Sequence, residues 1–354
     1  MNHRSLTLCT LGIAGALSAQ NYSVSPVAFA TAEGNSTLSY IFTSAPNKTQ
    51  QVHGDLQGSF RIITAMSFRR DGVATQTTGN PRQIDMEIAM GEANFANVGI
   101  VFGSNFTAAP TAVFTRKLVS SPDWRFAPPM APAPFDFTLT FDAPFVYQGT
   151  TDLAWEMTNH SNNGATSDTV RVDLGSPSFT NSSTALAGTP CRATGATQDY
   201  NLLGTLGTNI NPEVRWSIQG FPTQPFAANV LLVGLTDPAL SIPGLCNTLR
   251  SSGEINLILP VSDANGTWTM PLIYFPYNAS AVGAQFWEQA YSLDTGIGGL
   301  GVVGTRGMRL TFMAAPATGT AAKIKSVRNT TATSPTASTG QSISEGGFVV
   351  QFTH

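Results

Sequence analysis

Charge is scarce in this chain. Only 11% of its 354 residues are Asp, Glu, Lys or Arg, where an average soluble domain has about a quarter. Lysine is confined to Lys48, Lys117, Lys323 and Lys325, and the net charge is −3. No basic stripe is present to follow a phosphate backbone or an anionic bilayer, which argues against a nucleic-acid partner. Histidine is nearly missing: after His3 come His53, His160 and His354. None sits in HExxH or similar metal-ligand spacing. No GxSxG elbow presents a serine nucleophile, so no metal centre and no catalytic triad is expected. No Asp-rich loop of EF-hand type occurs, although loop carbonyls with single Asp residues leave structural calcium open. Long apolar runs are missing too; beyond the N-terminus nothing reaches the roughly 20 residues of a membrane span.

Cysteine is limited to Cys9, Cys191 and Cys246. Met1 to Arg4 is short and basic, Ser5 to Leu17 is small or apolar, and Ala16-Leu-Ser-Ala19 offers a peptidase site near residues 18–20. This is the succession of a secretory signal peptide, expected over 1–19, and it is too short to span a bilayer. Cys9 leaves with it. Cys191 and Cys246 then remain as an even pair in an oxidising compartment, with no CxxC spacing, and a structural disulfide is expected. The expected location is extracellular or periplasmic.

What the chain has in quantity is alternation. Ile84-Asp-Met-Glu-Ile-Ala-Met90, Phe135-Asp-Phe-Thr-Leu-Thr-Phe141 and Leu153-Ala-Trp-Glu-Met157 each place apolar residues on one face with period two. Arg61 to Phe68 is another strand, closed by the turn-forming Arg69-Arg-Asp-Gly72. One-sided strands of this kind belong to antiparallel sheets packed as sandwiches. With 33 Gly and 22 Pro punctuating the chain, the fold class is all-β: two antiparallel, jelly-roll-like sandwich modules in tandem. A turn-rich stretch at 174–192 marks the boundary, giving modules at 20–182 and 187–354. Asp263-Ala-Asn-Gly266 predicts a hairpin between the strands around 257–261 and 267–270. Gly301 to Val303 and Met308 to Phe312 suggest a second. Phe286 to Leu293 reads as a strand. The Thr/Ser-rich stretch 314–347 is expected as a loop flanked by strands near 323–327 and 347–354, within the second module.

Further segments bear a resemblance. Gln50-Gln-Val-His53, Ile63 to Asp71, Ile84 to Ile88, Phe95-Ala-Asn-Val-Gly99, Val113-Phe114, Pro134 to Leu139 and Pro144-Phe-Val-Tyr147 resemble the N-terminal jelly-roll-like module of uncharacterised secreted bacterial proteins. The stretches around Cys191 and Cys246, Gln289 to Asp294 and Leu300 to Gly304 resemble a second, Cys-containing β-module that follows it. The likeness covers most of residues 40–312. It implies a fold and secretion, and no catalytic residues. Many of those proteins end in a membrane segment and sorting helix, which this chain lacks.

Three sets of residues bear on function. Gly299-Leu-Gly-Val-Val-Gly304 matches a dinucleotide fingerprint in letters, but a strand follows where the fingerprint needs a helix, so these are turn glycines. Asp85 and Glu87 share one strand face, and Asp152 and Glu156 another; facing carboxylates about 5–10 Å apart can hydrolyse a glycosidic bond, while the plainer reading is a solvated face. Trp124, Arg125 and Phe126 precede the Pro-rich segment 127–134, where aromatic faces and a guanidinium can stack on and bond to sugars, or simply pin the loop. The leading expectation is a secreted, non-catalytic protein with a structural or glycan-binding role. The alternatives are a carbohydrate-active enzyme using Asp85, Glu87 or Glu156, and a self-assembling matrix component. The expected partners are accordingly an extracellular polysaccharide or further copies of the chain, with no cofactor.

Overall fold

The computed structural model describes residues 21–354 apart from 39, 44–45, 74–78, 127, 129, 166–167, 212 and 332. The expected leader over 1–19 lies outside the described residues. Among them no helix exceeds four residues, and none is long and apolar enough to cross a membrane. The chain is all-β.

The first stretch supplies β1 (Tyr22–Ser25), β2 (Ser36–Leu38), β3 (Asn47–His53), β4 (Arg61–Phe68), β5 (Gln83–Ala93), β6 (Thr111–Ser120), β7 (Phe137–Tyr147), β8 (Asp152–Asn162) and β9 (Val172–Gly175). Period two explains their packing. In β5, Ile84, Met86, Ile88 and Met90 are buried while Asp85 and Glu87 are half-exposed. Leu153, Trp155 and Met157 of β8 join them, and Met66, Phe68, Leu139 and Phe145 close the core from β4 and β7. Aromatic rings meet edge to face: Phe42 lies 5.1 Å from Phe68 and 4.9 Å from Phe137. Such pairs add about 0.5–1.5 kcal/mol beyond their buried area. Arg69, at the start of the expected turn, is buried. Its guanidinium reaches Asp173 at 2.6 Å and the carbonyls of Phe29 and Ala32, so the ion pair that clips β9 to the end of β4 is well bonded, as a buried charge requires.

The middle stretch supplies β10 (Phe179–Asn181), β11 (Ser183–Ala187), β12 (Asn201–Asn209), β13 (Glu213–Phe221), β14 (Asn229–Gly234), β15 (Leu240–Ser241), β16 (Thr248–Leu249), β17 (Ile255–Leu259), β18 (Trp268–Thr269), β19 (Ile273–Pro276), β20 (Gln285–Leu293), β21 (Val302–Gly304) and β22 (Gly307–Thr311). They form two sheets, β10-β12-β13-β18 with β19 also on β13, and β11-β22-β20-β14-β17 with β21 also on β20. Leu202, Leu206, Val214 and Ile218 of one sheet pack on Leu231, Ala290, Met308 and Leu310 of the other. Cys191 and Cys246 are bonded, with Cα atoms 6.0 Å apart. Both expected hairpins need correction. The Asp263–Gly266 turn closes locally through Asp263 N–H to Thr267 O at 2.8 Å, but its flanking strands β17 and β18 enter opposite sheets. β21 and β22 do not pair with each other; both lie along β20.

The last stretch supplies β23 (Ile324–Asn329), β24 (Ser342–Glu345), β25 (Gly347–Phe348) and β26 (Val350–Thr353). These strands return to the first module. β26 sits between β1 and β4, β23 between β3 and β24, and β25 pairs with β9. The first sandwich is therefore β1-β26-β4-β7 facing β24-β23-β3-β8-β5-β6. The expectation of a second module running to 354 is corrected: the middle stretch is inserted between two parts of the first. The reason lies in burial. Phe348, Val349, Val350 and Phe352 are all fully buried, so this segment needs neighbours on both sides and cover on both faces.

Candidate functional site

The sheet-face carboxylates come first. Arg116 meets Asp85 with Nε at 3.1 Å from both oxygens and Nη2 at 2.7 Å from Oδ2, which holds the Asp85 carboxyl below its ordinary range. Glu87 Oε1 lies 3.2 Å from His160 Nε2. Glu156 Oε1 lies 2.9 Å from Lys48 Nζ, and Gln50 donates to its other oxygen. Asp152 accepts from Gln57 and from the backbone N–H of Phe95 at 2.6 and 2.7 Å. Glu87 and Glu156 share one face, since Thr158 is opposite Glu87 and Ala89 opposite Glu156. They line a shallow hollow of about 210 Å³ with Phe114, Thr115 and Arg116. The Arg116 contact favours the ionised form of Asp85 and makes that carboxyl a poor proton donor. The rest of this sheet face is partly covered: Phe95, Val98, Phe102 and Phe106 pack over Val52, Ala154 and Val327 as a small second core.

Of the loop triplet, Trp124 is 2% exposed. Its Nε1–H donates to Asp136 at 3.0 Å and its ring stands edge-on to Phe137. It pins the loop and offers no face to a ligand. Arg125 pairs with Asp123 at 2.5 Å and lies 5.6 Å over the Phe126 ring; those two side chains are exposed.

His53 is fully buried, and burial pushes it down to about 3. Trp155 Nε1–H donates to its Nε2 at 2.9 Å. The other nitrogen, Nδ1, therefore carries the proton and donates to Ser25 Oγ at 2.7 Å, while Ser25 in turn donates to Asp55. Proton order runs the wrong way for a nucleophilic serine. The chain of bonds fastens β1 to β3.

A fourth cluster joins residues far apart in sequence. On β13 and β19, Glu213 and Arg215 share a face with Tyr274, which is directly opposite Arg215. That face meets β23 and the turn at 94–96. The Lys325 side chain is fully buried there. Its Nζ lies 2.8 Å from Glu213 Oε1 and 3.2 Å from the Phe95 carbonyl, and it sits 4.2 Å over the Tyr274 ring. Glu345, opposite Lys325 on β24, is pushed up to about 7 by burial and then by Glu213, with Arg215, Lys325 and Asn209 opposing. Burial likewise raises the Tyr274 phenol, which stays neutral. Beside this cluster, between the modules, opens a cleft of about 340 Å³ lined by Asn94, Asn211, Glu213, Tyr274, Phe275 and Lys323. Two oxygens of its lining are buried without a hydrogen-bond partner: Glu213 Oε2 and Tyr274 Oη. Orphaned buried polar atoms are rare in folded proteins and call for an explanation.

The sequence did not point to this cluster. Its five titratable members are separated by up to 132 positions, from Glu213 to Glu345. The available signal was Lys325 itself, one of four lysines, set between Ile324 and Val327 in an expected strand. Among the described residues no group of His, Cys, Asp and Glu is arranged to hold a metal ion. Comparisons with protein-family models, with curated proteins and with solved structures find no match to this chain.

Proposed function

We propose that the protein is an exported, non-catalytic binding protein that holds a sugar unit of an extracellular polysaccharide in the cleft between its two modules. The observation carrying this reading is the cleft itself, two of whose lining residues, Glu213 and Tyr274, each hold a buried oxygen, Oε2 and Oη, with no hydrogen-bond partner. A carboxylate acceptor and a neutral phenol, beside the rings of Phe95 and Phe275, fit a ligand with hydroxyls on a ring that also has apolar faces. The volume is at the low end of the roughly 300–1,000 Å³ typical of small-molecule sites, which favour domain interfaces. The ion pairs that hold Asp85 to Arg116 and Glu156 to Lys48 support binding over hydrolysis. The signal-like N-terminus and the Cys191–Cys246 bond support export.

The test is affinity electrophoresis and calorimetry across a polysaccharide panel. Saturable retention without cleavage is expected. Tyr274→Phe should weaken it about tenfold or more, equivalent to roughly 1.4 kcal/mol, without lowering thermal stability, because the lost hydroxyl has no partner in the free protein. Failure to retain any glycan would defeat the proposal. So would reducing-end release that Glu87→Gln or Glu156→Gln abolishes, which would mark an enzyme.

A further inference from the structure

The inserted module has two open sheet edges that differ from those of the first. β12 is covered by β10 only at 207–209. At Leu206 the backbone N–H and C=O turn toward that side, to Ser182 Oγ at 3.2 Å and Ser182 N at 2.7 Å. Backbone direction alternates along a strand, so the N–H and C=O groups of Leu202 and Gly204 point the same way. Among the described residues no strand lies there. They face a groove of about 450 Å³ whose walls include Thr184, Leu186, Leu203 and Met308. A Cβ at Gly204 would lie 2.3 Å from Met308 Cε and 2.9 Å from Glu288 Oε2, so the packing of the two sheets behind this edge requires glycine.

The second open edge is β17, Ile255-Asn-Leu-Ile-Leu259, which pairs only with β14. Ile258 is 94% exposed and Ile255 55%. Neither this strand nor residues 201–206 of β12 contains a charged residue. Natural edges are normally blunted by charge, and the first module follows that rule: its edge strand β6 carries Arg116 and Lys117, paired with Asp85 and Asp142.

We infer that β17 of one copy adds to the open edge of β12 in the next, so that the protein assembles head to tail. The free runs are similar in length, about 17–20 Å when extended. Added parallel to β12, β17 brings exposed Leu203 and Ile258 onto the same outward face, where their apolar side chains meet across the strands. The occupant is another copy because the two edges lie on opposite sides of the module. β11, which walls the groove, and β17 are the two ends of one sheet, so a molecule cannot satisfy its own groove. A contact between unlike surfaces does not close on itself in pairs and propagates head to tail, as a ring or a filament.

Sedimentation velocity of the disulfide-bonded protein from micromolar to millimolar concentration tests this. The wild type should shift to dimers and longer species. Leu203→Lys and Ile258→Lys, both at exposed positions, should each raise the concentration needed by about tenfold or more, the equivalent of roughly 1.4 kcal/mol. An equimolar mixture of the two variants should recover dimers and stop there, since one has an intact β17 and the other an intact β12. Thr205→Lys and Asn256→Lys, outward on the same strands, repeat the test should either first variant melt early. A wild type that stays monomeric, an Ile258→Lys variant that assembles normally, or a mixture that yields no dimer would each overturn the inference.

Discussion

At the residue scale, the most consequential group is one whose alternation points both ways. Glu288 in Phe286-Trp-Glu-Gln-Ala-Tyr reads equally well as an outward residue. In the structure it is fully buried between the two sheets, accepting from Trp216 Nε1 at 2.7 Å, with its other oxygen unpartnered. Burial pushes it up to about 8 from an ordinary value of 4.5. Between those two values the folded chain holds a proton that the unfolded chain releases, so stability falls as pH rises through the window and levels off above it. Glu288→Gln keeps an acceptor for Trp216 and removes the ionisation. Urea unfolding should find the variant more stable than wild type at pH 8, by on the order of a few kcal/mol at 1.4 kcal/mol per pH unit, and close to it at pH 4. Wild-type stability that climbs between these pH values, with the Glu288→Gln substitution making no difference, would contradict a protonated Glu288. By contrast, the outward placement of Asp85 and Glu87 was legible, because apolar neighbours on both sides fix which face they take.

At the element scale, strand existence was legible and strand partnership was not. β5, β7, β8 and β20 fall where alternation put them. Alternation says which face is buried but carries nothing about which strand lies alongside. Asn265-Gly266 does form its turn, with Gly266 at φ +71°, yet the chain leaves that turn into the opposite sheet. Pairing is decided by contacts distant in sequence. The Cys191–Cys246 bond is an element-scale clasp of this kind. It ties the segment entering β12 to the loop after β15, and Cys191 N–H also donates to Gly304 O at 2.9 Å. Closing a separation of 55 residues restricts the unfolded chain by about 4 kcal/mol in the loop-entropy treatment. The Cys191→Ser/Cys246→Ser double variant should lose stability of that order in denaturant. Free thiols in protein recovered from an oxidising compartment, or unchanged unfolding, would show that the bond contributes nothing.

At the scale of the whole molecule, the insertion makes a prediction that two modules in tandem would reverse. The composition change at 174–192 spans the passage from β9 to β10, because turn residues are local signals. The return after residue 313 was hidden in a Thr/Ser-rich tail whose strands look like any others. Phe348-Val-Val-Gln-Phe352, apolar on both faces, was the trace of a central strand. Residues 21–25 and 350–354 lie together: β1 pairs with β26, and His354 N–H donates to Asn21 O at 2.8 Å. A chain stopped at residue 313 loses β23 and β26 from the middle of the two sheets of the first module. Losing the burial of Phe348, Val350 and Phe352 alone costs roughly 5–9 kcal/mol at about 1.5–3 kcal/mol each. That approaches the whole stability of a typical domain, about 5–15 kcal/mol. The first module should therefore unfold in the truncated chain, while residues 178–313, with their own core and disulfide, still fold. Calorimetry of the truncated chain should show the second module's transition alone. Proteolysis of the intact protein should cut near 176–178 and 314–322 and leave the two outer fragments held together without a covalent link. If the truncated chain instead kept the first module's transition and lost the second, the C-terminal strands would belong to the second module after all.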